Sequence, residues 1–345
     1  TAELAADIGP GETSYTRYDR DITARAVAWL TEEAAATDEK PWVLYVSMIC
    51  PHFPLSAPQE FYDLYDPKTI DLPRRMDAEA VARHPWWKAF HDSILFDRYF
   101  KDDDHRRRAI ANYLGLVSFV DDNVGQILSA LEATGLAETT RVIYMSDHGD
   151  SLGDRGVWGK GTMLEESVGV PLILKGPDIP VGNVVETPVS LVDVYPTLVD
   201  MVGDAPSPDE RDLPGDSLMA IAGEDDDNQR IVFSEYHAAG AISGLYMVRQ
   251  GPWKYVHYTG FAPELFNLAD DPGETVNLAG HPDLQARVAA MESALRKIVD
   301  PDAVDAQAKA EQAAHVEKHG GREAILAEAP IHGSPVPGGE STRVV

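Results

Sequence analysis

Residues 141–150 read Arg-Val-Ile-Tyr-Met-Ser-Asp-His-Gly-Asp, an apolar run that ends in a cluster of polar side chains. The apolar part has the length and composition of a short buried strand. A helical repeat of apolar residues precedes it from Asp104 to Leu136, and residues 42–49 form another strand-like run upstream. Strand, helix and strand in this order predict a βαβ unit, and therefore an α/β fold with a mostly parallel sheet flanked by helices.

The pattern changes beyond an acidic stretch rich in Gly and Pro at residues 203–229. Upstream of it, we predict helices at residues 19–36 and 190–202, a strand from Pro171, and a long irregular excursion at residues 51–104. Downstream, residues 231–236 and 245–258 alternate like strands, and a helix follows at about 282–298. We therefore predict an α/β unit at residues 1–225, a small α+β subdomain with an antiparallel sheet at 226–300, and a tail at 301–345.

Composition narrows the classes of partner. The chain has 345 residues, a formal net charge of −28 and a pI near 4.6. A polyanion repels nucleic acid and anionic membranes, so we expect neither as a partner. No apolar run is long enough to span a bilayer. The single cysteine, Cys50, fits a reducing compartment and favours a cytoplasmic location, although a periplasmic or secreted location stays open because a leader could lie upstream.

Asp147 and His148 form half of a candidate metal site. Ligands of parallel sheets bind beyond the carboxyl ends of the strands, where this pair lies. Carboxylate oxygen suits Ca²⁺, Mg²⁺ or Mn²⁺, and imidazole nitrogen shifts the preference toward Mn²⁺ or Zn²⁺. Lys160 follows between two glycines and can return over the same crevice to neutralise an anionic ester. The alternative interpretation is a loop with a capping Asp.

His52 is the second candidate, held between Pro51 and Pro54 just after the first predicted strand. It is expected at the same sheet edge as Asp147. There it could donate a proton to a leaving-group oxygen or bind an anionic head group. The alternative is a structural histidine.

Together these motifs resemble the C-terminal signature of the sulfatase family, within the alkaline-phosphatase-like superfamily. The resemblance runs from about Arg20 to about Ile298. It rests on the sequences Pro-His-Phe-Pro at 51–54, Ser-Asp-His-Gly-Asp at 146–150, Gly-Lys-Gly at 159–161, Glu-Glu at 165–166, Val-Pro-Leu-Ile at 170–173, Arg-Gln-Gly-Pro-Trp-Lys-Tyr at 249–255, Glu-Leu-Phe-Asn-Leu at 264–268 and Asp-Pro-Gly-Glu-Thr-Val-Asn-Leu at 271–278.

The resemblance implies a role for each matching residue. Asp147 and His148 would be metal ligands for Ca²⁺ or Mn²⁺, Lys160 would bind sulfate or phosphate oxygens, and His52 would assist departure of the ester oxygen. A histidine at the second metal position resembles choline sulfatases and phosphonate monoester hydrolases. In the choline-sulfatase group a Glu in the segment matching 234–236 faces the substrate, so Glu235 is a substrate-binding candidate. A surface strand Glu is the alternative.

The nucleophile of this family is absent from the sequence. Sulfatases convert the Cys or Ser of a Cys/Ser-x-Pro-x-Arg motif to formylglycine, which attacks the ester with help from a metal. Cys50 is followed directly by Pro51, and the Ser56 sequence Ser-Ala-Pro-Gln-Glu ends in Glu60. We therefore expect this chain alone to be inactive, with the nucleophile and the remaining ligands on an N-terminal segment of the same protein.

Three functions remain open. The first is hydrolysis of small anionic sulfate esters by the formylglycine mechanism. The second is hydrolysis of phosphonate or phosphate esters at the same site, because their head group is also a tetrahedral anion. The third is a non-catalytic fragment that binds anions or metal. We also expect a homo-oligomer, for which the Ala- and Glu-rich tail from Asp300 could be a contact arm.

Overall fold

The computed structural model describes Ala5, residues 8–36, 41–73, 84–94, 96–204, Ser207, residues 212–327 and Val336. In these parts of the chain the α-helices are α1 (Ser14–Glu32), α2 (Gln59–Tyr62), α3 (Pro85–Ile94), α4 (Asp103–Ala133), α5 (Glu165–Val168), α6 (Val194–Met201), α7 (Leu218–Ala222), α8 (Gln285–Ile298), α9 (Pro301–Lys318) and α10 (Arg322–Ala327). The strands are β1 (Val142–Met145), β2 (Leu172–Lys175), β3 (Ile231–Tyr236), β4 (Leu245–Gln250), β5 (Trp253–Tyr258) and β6 (Glu264–Asn267).

The long helix α4 begins where its sequence provides a cap. Asp102 accepts a hydrogen bond from the backbone N–H of His105 at 2.7 Å, which satisfies a donor that the first turn leaves free. Arg106 and Arg107 then pair with Asp103 and Asp104 one turn back. The acidic and basic triplets at 102–108 are thus the start of a helix.

Helices α1 and α4 cover one side of the segment at residues 41–49. Leu30 and Leu131 form a buried cluster against which Trp42, Leu44 and Val142 pack. Residues 43, 45 and 47 of the same segment alternate outward and are exposed. One side of this region is therefore a packed core, and the other side presents apolar side chains to solvent.

The C-terminal subdomain is a four-stranded antiparallel sheet in the order β3-β4-β5-β6. One face packs on Trp86, Trp87 and Phe90 of α3 together with Met163 and Leu164. The opposite face packs on α8 through Met291 and Leu295. Both faces of the central strands are therefore buried.

The start of α9 continues this packing. The hydroxyl of Tyr246 donates to the carbonyl of Pro301 at 3.0 Å, and Asp305 accepts from the N–H of Gly244 at 2.7 Å. The tail predicted from residue 301 thus begins with a helix that is bonded to the sheet.

The α/β class is confirmed, but strand pairing differs from the predicted βαβ unit. β1 pairs with β2 in an antiparallel ribbon, with Tyr144 opposite Ile173. Residues 41–49 belong to no helix and form no strand ladder within the described residues. They lie beside β1 through side chains, since Trp42 and Leu44 share a cluster with Val142. The parallel pairing predicted between residues 42–49 and β1 is therefore not formed in the described chain.

The predicted irregular stretch at 51–104 is also wrong in part, because α3 lies inside it. Trp86, Trp87 and Phe90 are each at most 2% exposed. The helix begins at Pro85, and proline suits a first helical position. Its apolar face is buried against the C-terminal sheet rather than against its neighbours in sequence, and this long-range packing explains why a local pattern missed it.

Candidate active site

The structure brings into contact His52 and Lys160, two residues that the sequence predicted only to lie at the same edge of the sheet. The Nζ atom of Lys160 lies 3.1 Å from Nε2 of His52. The other ring nitrogen of His52, Nδ1, is 2.8 Å from the carbonyl of Phe53. A carbonyl only accepts, so Nδ1 carries the proton and Nε2 accepts from the lysine. The pair thus consists of a neutral imidazole beside an ammonium group.

Burial sets the ionisation of this pair. It lowers the pKa of His52, the hydrogen bond to the Phe53 carbonyl opposes that shift, and the neighbouring charge of Lys160 adds to it. Burial also lowers the pKa of Lys160, although the carboxylates of Asp150 and Asp147 oppose the change. The ammonium of Lys160 loses hydration here and has only a neutral ring as its nearest partner, so an anion bound beside it would be stabilised.

Asp147 and His148 stand at the end of β1, as predicted. One carboxylate oxygen of Asp147 accepts from the N–H of His148 at 2.9 Å, and the other lies 3.6 Å from Nε2 of that histidine. Nδ1 of His148 is 2.8 Å from the carbonyl of Gly149, so Nε2 carries the free lone pair. This is the usual arrangement of a metal-binding histidine, whose second nitrogen donates to an oxygen. The side chain of Asp147 is 85% exposed.

These two residues fit a divalent cation as a partial ligand set. Within the described ranges no three His, Cys, Asp or Glu side chains gather as a metal cage. Asp147 and His148 contribute one carboxylate and one imidazole, and a complete shell needs further oxygen ligands. The pair therefore offers half of a site.

Asp150 supports the loop that carries Lys160, a role that was not predicted. Its carboxylate accepts from the backbone N–H groups of Leu152 and Gly159, both at 2.9 Å. Burial raises the pKa of Asp150, and the two N–H groups and the charge of Lys160 oppose the rise. The signal in the sequence was the second Asp of the Ser-Asp-His-Gly-Asp motif, two positions after His148.

Asp19 gives His52 a similar support from α1. Its side chain is fully buried and accepts from the N–H groups of Ile49 and Cys50, both at 2.9 Å. The chain therefore enters the His52 turn at a defined place. Burial, followed by the charge of Asp19, raises the pKa of the Cys50 thiol far above its ordinary value. Cys50 is a protonated, inert core residue, in agreement with its exclusion as the nucleophile.

Glycine at position 149 lets two backbones meet at the site. A side chain there would place Cβ 2.1 Å from the carbonyl oxygen of Glu166. The N–H of Gly149 instead donates to the carbonyl of Ser167 at 2.9 Å. The Asp147-His148 turn is thereby bound to the segment that follows Lys160.

Glu235 is not brought to this group of residues. On β3 it pairs with Tyr246, whose face of the sheet packs on α8, and its carboxylate lies 3.5 Å from Nε2 of His237. Neighbouring strand residues point to opposite faces, and it is Tyr236 whose hydroxyl approaches Gly161, at 3.2 Å from where a Cβ of that residue would lie. The substrate-binding role of Glu235 has no support from this geometry.

Comparison with known proteins identifies the family of this chain. The sequence matches the family description "Sulfatase" over residues 5–204 and "N-sulphoglucosamine sulphohydrolase, C-terminal" over residues 153–300. The chain belongs to the sulfatase family. None of the helices described has the length and apolar character needed to cross a membrane.

Individual relatives cover much of this sulfatase chain. It is 31% identical to the choline-sulfatase of Rhizobium meliloti (strain 1021) over 273 residues, 78% of this chain and 53% of the relative. It is 32% identical to arylsulfatase K of Homo sapiens over 283 residues, 76% of this chain and 52% of the relative. The chain therefore spans about half the length of the curated relatives it matches.

A solved structure has a similar fold. The phosphonate monoester hydrolase SpPMH from Silicibacter pomeroyi superimposes with a TM-score of 0.69 at 28% identity, covering 80% of this chain and 59% of that structure. The alkaline-phosphatase-like fold expected from the sequence is confirmed by this likeness.

Proposed function

We propose that this chain contributes the anion-binding and part of the metal-binding machinery of a sulfate ester hydrolase. The observation that carries the proposal is the contact between Lys160 and His52, 3.1 Å apart, with His148 and Asp147 close enough to act on their charges. Four basic or metal-binding side chains together in a chain of net charge −28 make a local site for a tetrahedral anion.

Lys160 binds the anionic head group of the ester, and His52 protonates the leaving group. The ammonium of Lys160 holds a non-bridging oxygen of the head group and offsets its charge. An anion at this position raises the pKa of His52, because an opposite charge favours the protonated ring. The proton that Nε2 then holds can pass to the departing ester oxygen, while the Phe53 carbonyl keeps the ring oriented through Nδ1.

Asp147 and His148 would hold the divalent cation, Ca²⁺ or Mn²⁺, together with ligands from elsewhere. When bound, the cation supplies Lewis-acid polarisation of the ester oxygens. The free Nε2 lone pair of His148 and the exposed carboxylate of Asp147 are the two donors that this chain provides.

The nucleophile is supplied by a segment outside these 345 residues, since the sequence contains no Cys/Ser-x-Pro-x-Arg motif. A surface suited to such a segment exists beside the site. Tyr144 and Ile173 are cross-strand neighbours and are 37% and 58% exposed, and Val43 and Tyr45 are 67% and 75% exposed. Exposed apolar side chains in this number on sheet-forming segments are unusual for a finished domain surface. We assign this face to the segment that carries formylglycine.

A test of the function uses the complete protein that carries the nucleophile. We expect Lys160→Ala and Asp147→Asn each to reduce turnover of p-nitrophenyl sulfate by about 100-fold or more. Glu292→Gln, in the C-terminal subdomain and away from Lys160, is the matched control and should retain normal turnover. Near-normal rates for both site variants would contradict the proposal. This chain by itself should not turn over the ester.

Hydrolysis of phosphonate monoesters is the second candidate, favoured by the likeness to SpPMH. Sulfate and phosphonate monoesters both present a tetrahedral anionic head to Lys160 and His52. The ratio of kcat/KM for p-nitrophenyl sulfate and p-nitrophenyl phenylphosphonate in the complete protein separates the two. A ratio strongly in favour of the phosphonate would replace the first candidate with the second. Binding of sulfate without turnover of either ester by the complete protein would leave the non-catalytic role.

A further inference from the structure

A buried ion cluster connects the C-terminal sheet to the segment that carries Lys160. Lys254 on β5 is 0% exposed. Its Nζ atom lies 2.5 Å from a carboxylate oxygen of Glu165 and 2.8 Å from one of Glu274, and it donates to the carbonyl of Met163 at 2.9 Å. A charge removed from water in this way is tolerated only when such partners surround it. The cluster therefore constrains the position of residues 163–165 relative to β5.

Glu274 is the second anchor of the same segment. Its other carboxylate oxygen accepts from the backbone N–H of Glu165 at 2.7 Å. Its carbonyl accepts from the guanidinium of Arg155 at 2.9 Å, and the carbonyl of Gly273 accepts from the same group at 2.6 Å. Arg155 and Glu274 both have φ near +52°, a region that L-residues seldom occupy. Surrounding contacts must hold such residues in place, so the contact between Arg155 and residues 273–274 has a defined geometry.

Lys160 lies between these two attachments. Arg155 precedes it and is bonded to residues 273 and 274, whereas Met163 and Glu165 follow it and are bonded to Lys254 and Glu274. Between the attachments the backbone turns at Gly159 and Gly161, whose φ values are +77° and +116°. Glycine permits these turns, and the loop is then fixed by the hydrogen bond from Gly159 to Asp150 and by the attachments at its two ends.

We propose that Lys254 and Glu274 are positioning residues for the anion site. They act through residues 155–165 and keep the ammonium of Lys160 beside His52. The inference deepens the proposed function, because it rests on Lys160 as the anion ligand. It also gives the C-terminal sheet a role in the anion site, although the sheet contains none of the residues of that site. The sheet holds the loop of Lys160 in place through Lys254, and Glu274 contributes to the same cluster.

The decisive variant is Glu274→Gln, which keeps the size of the side chain and an oxygen that accepts from the N–H of Glu165. It removes the negative charge next to Lys254. Lys254→Met is the second variant, used where near-UV circular dichroism shows the native fold. The control is Glu292→Gln, which makes the same change in a carboxylate that accepts from Tyr255 at 2.7 Å on the α8 side of the same sheet.

Two measurements on this chain report the position of Lys160 relative to His52 and the affinity of the site for an anion. The first is the nuclear Overhauser effect between the Cε protons of Lys160 and the ring protons of His52, in protein labelled at Lys and His, with Lys160→Arg and His52→Gln providing the assignments. The second is the dissociation constant for inorganic sulfate. Both are made well below the melting temperature of each variant, so that a loss of global stability does not enter.

We expect Glu274→Gln and Lys254→Met to weaken the Lys160–His52 cross-peak and to raise the dissociation constant for sulfate on the order of tenfold. Glu292→Gln should leave both unchanged. An undiminished cross-peak in Glu274→Gln would overturn the positioning role, and so would equal effects of Glu274→Gln and Glu292→Gln. Sulfate binding that does not respond to Lys160→Ala would instead contradict the proposed function, while the cross-peak would still decide the positioning role.

Discussion

The two sheets of this chain differ in how completely they are covered. On β4 of the four-stranded sheet, Leu245, Tyr246, Met247 and Val248 are all at most 6% exposed, because α3 lies on one face and α8 on the other. In the β1–β2 ribbon, Ile173 is 58% exposed. The first sheet is therefore a finished core and the second has one bare face. The candidate site lies at the end of the bare ribbon and is braced by the finished sheet.

The largest effect should come from truncating a side chain of the finished sheet. Leu245→Ala removes a fully buried side chain from the contact between β4 and α3 and should lower the free energy of unfolding by about 2–5 kcal/mol. Ile173→Ala, on the bare face, should change it by about 0.5 kcal/mol or less. Urea denaturation of both variants measures the difference. Similar losses would mean that the bare face is covered in solution.

A smaller loss should follow when α9 is detached from the finished sheet. Asp305→Ala leaves the buried N–H of Gly244 without its acceptor, which should lower the free energy of unfolding by about 1–3 kcal/mol. Gln307→Ala on the exposed side of the same helix is the control. If Asp305→Ala unfolds at the same urea concentration as the control, the helix does not contribute to the subdomain.

The pH dependence of stability should reveal His91, a partly buried histidine of α3. Burial lowers the pKa of His91, with the carboxylates of Asp92 and Asp97 opposing the shift. Below pH 6.5 the unfolded chain takes up a proton that the folded chain resists, so stability falls as pH drops from 6.5 through the lowered pKa. The slope from this group is at most about 1.4 kcal/mol per pH unit. His91→Gln should flatten the curve, and an unchanged slope would show that His91 titrates normally.

The smallest effect on this chain should come from charging the bare face. Ile173→Glu should alter the free energy of unfolding of the chain by about 0.5 kcal/mol or less, since the residue already contacts water. In the complete protein the same change should reduce stability and turnover, because it buries a charge under the segment that carries the nucleophile. Full activity of that variant would show that the segment packs elsewhere.

Several elements could be predicted because their information is local. The apolar repeat and the Asp102 cap define α4, and the period-two alternation around the turn after Gln250 defines β4 and β5. The candidate site was predictable to the same extent, since His52, Asp147 and His148 lie within three residues of the end of an apolar run, and Lys160 has a glycine on either side. The resemblance to sulfatases then connected these short motifs.

Other features depend on partners that are distant in sequence. The burial of α3 requires the C-terminal sheet, and the buried charge of Lys254 requires Glu165 and Glu274. Glu235 is another example. The alternation of side chains along β3 places Glu235 and Tyr236 on opposite faces of the sheet, but the sequence does not tell which face lies toward the candidate site.

The sequence alone therefore determined the α/β class, the main helices and strands, the family, and the set of polar residues available for chemistry. These follow from periodicity, capping and short motifs, all of which act over a few neighbouring residues. The tertiary structure alone decided that Lys160 and His52 are in contact, that β1 pairs antiparallel with β2, and that Lys254 and Glu274 hold the loop of Lys160. The reason is physical: a buried charge or an apolar face is satisfied by whatever partner packing brings to it, and packing is a property of the whole chain.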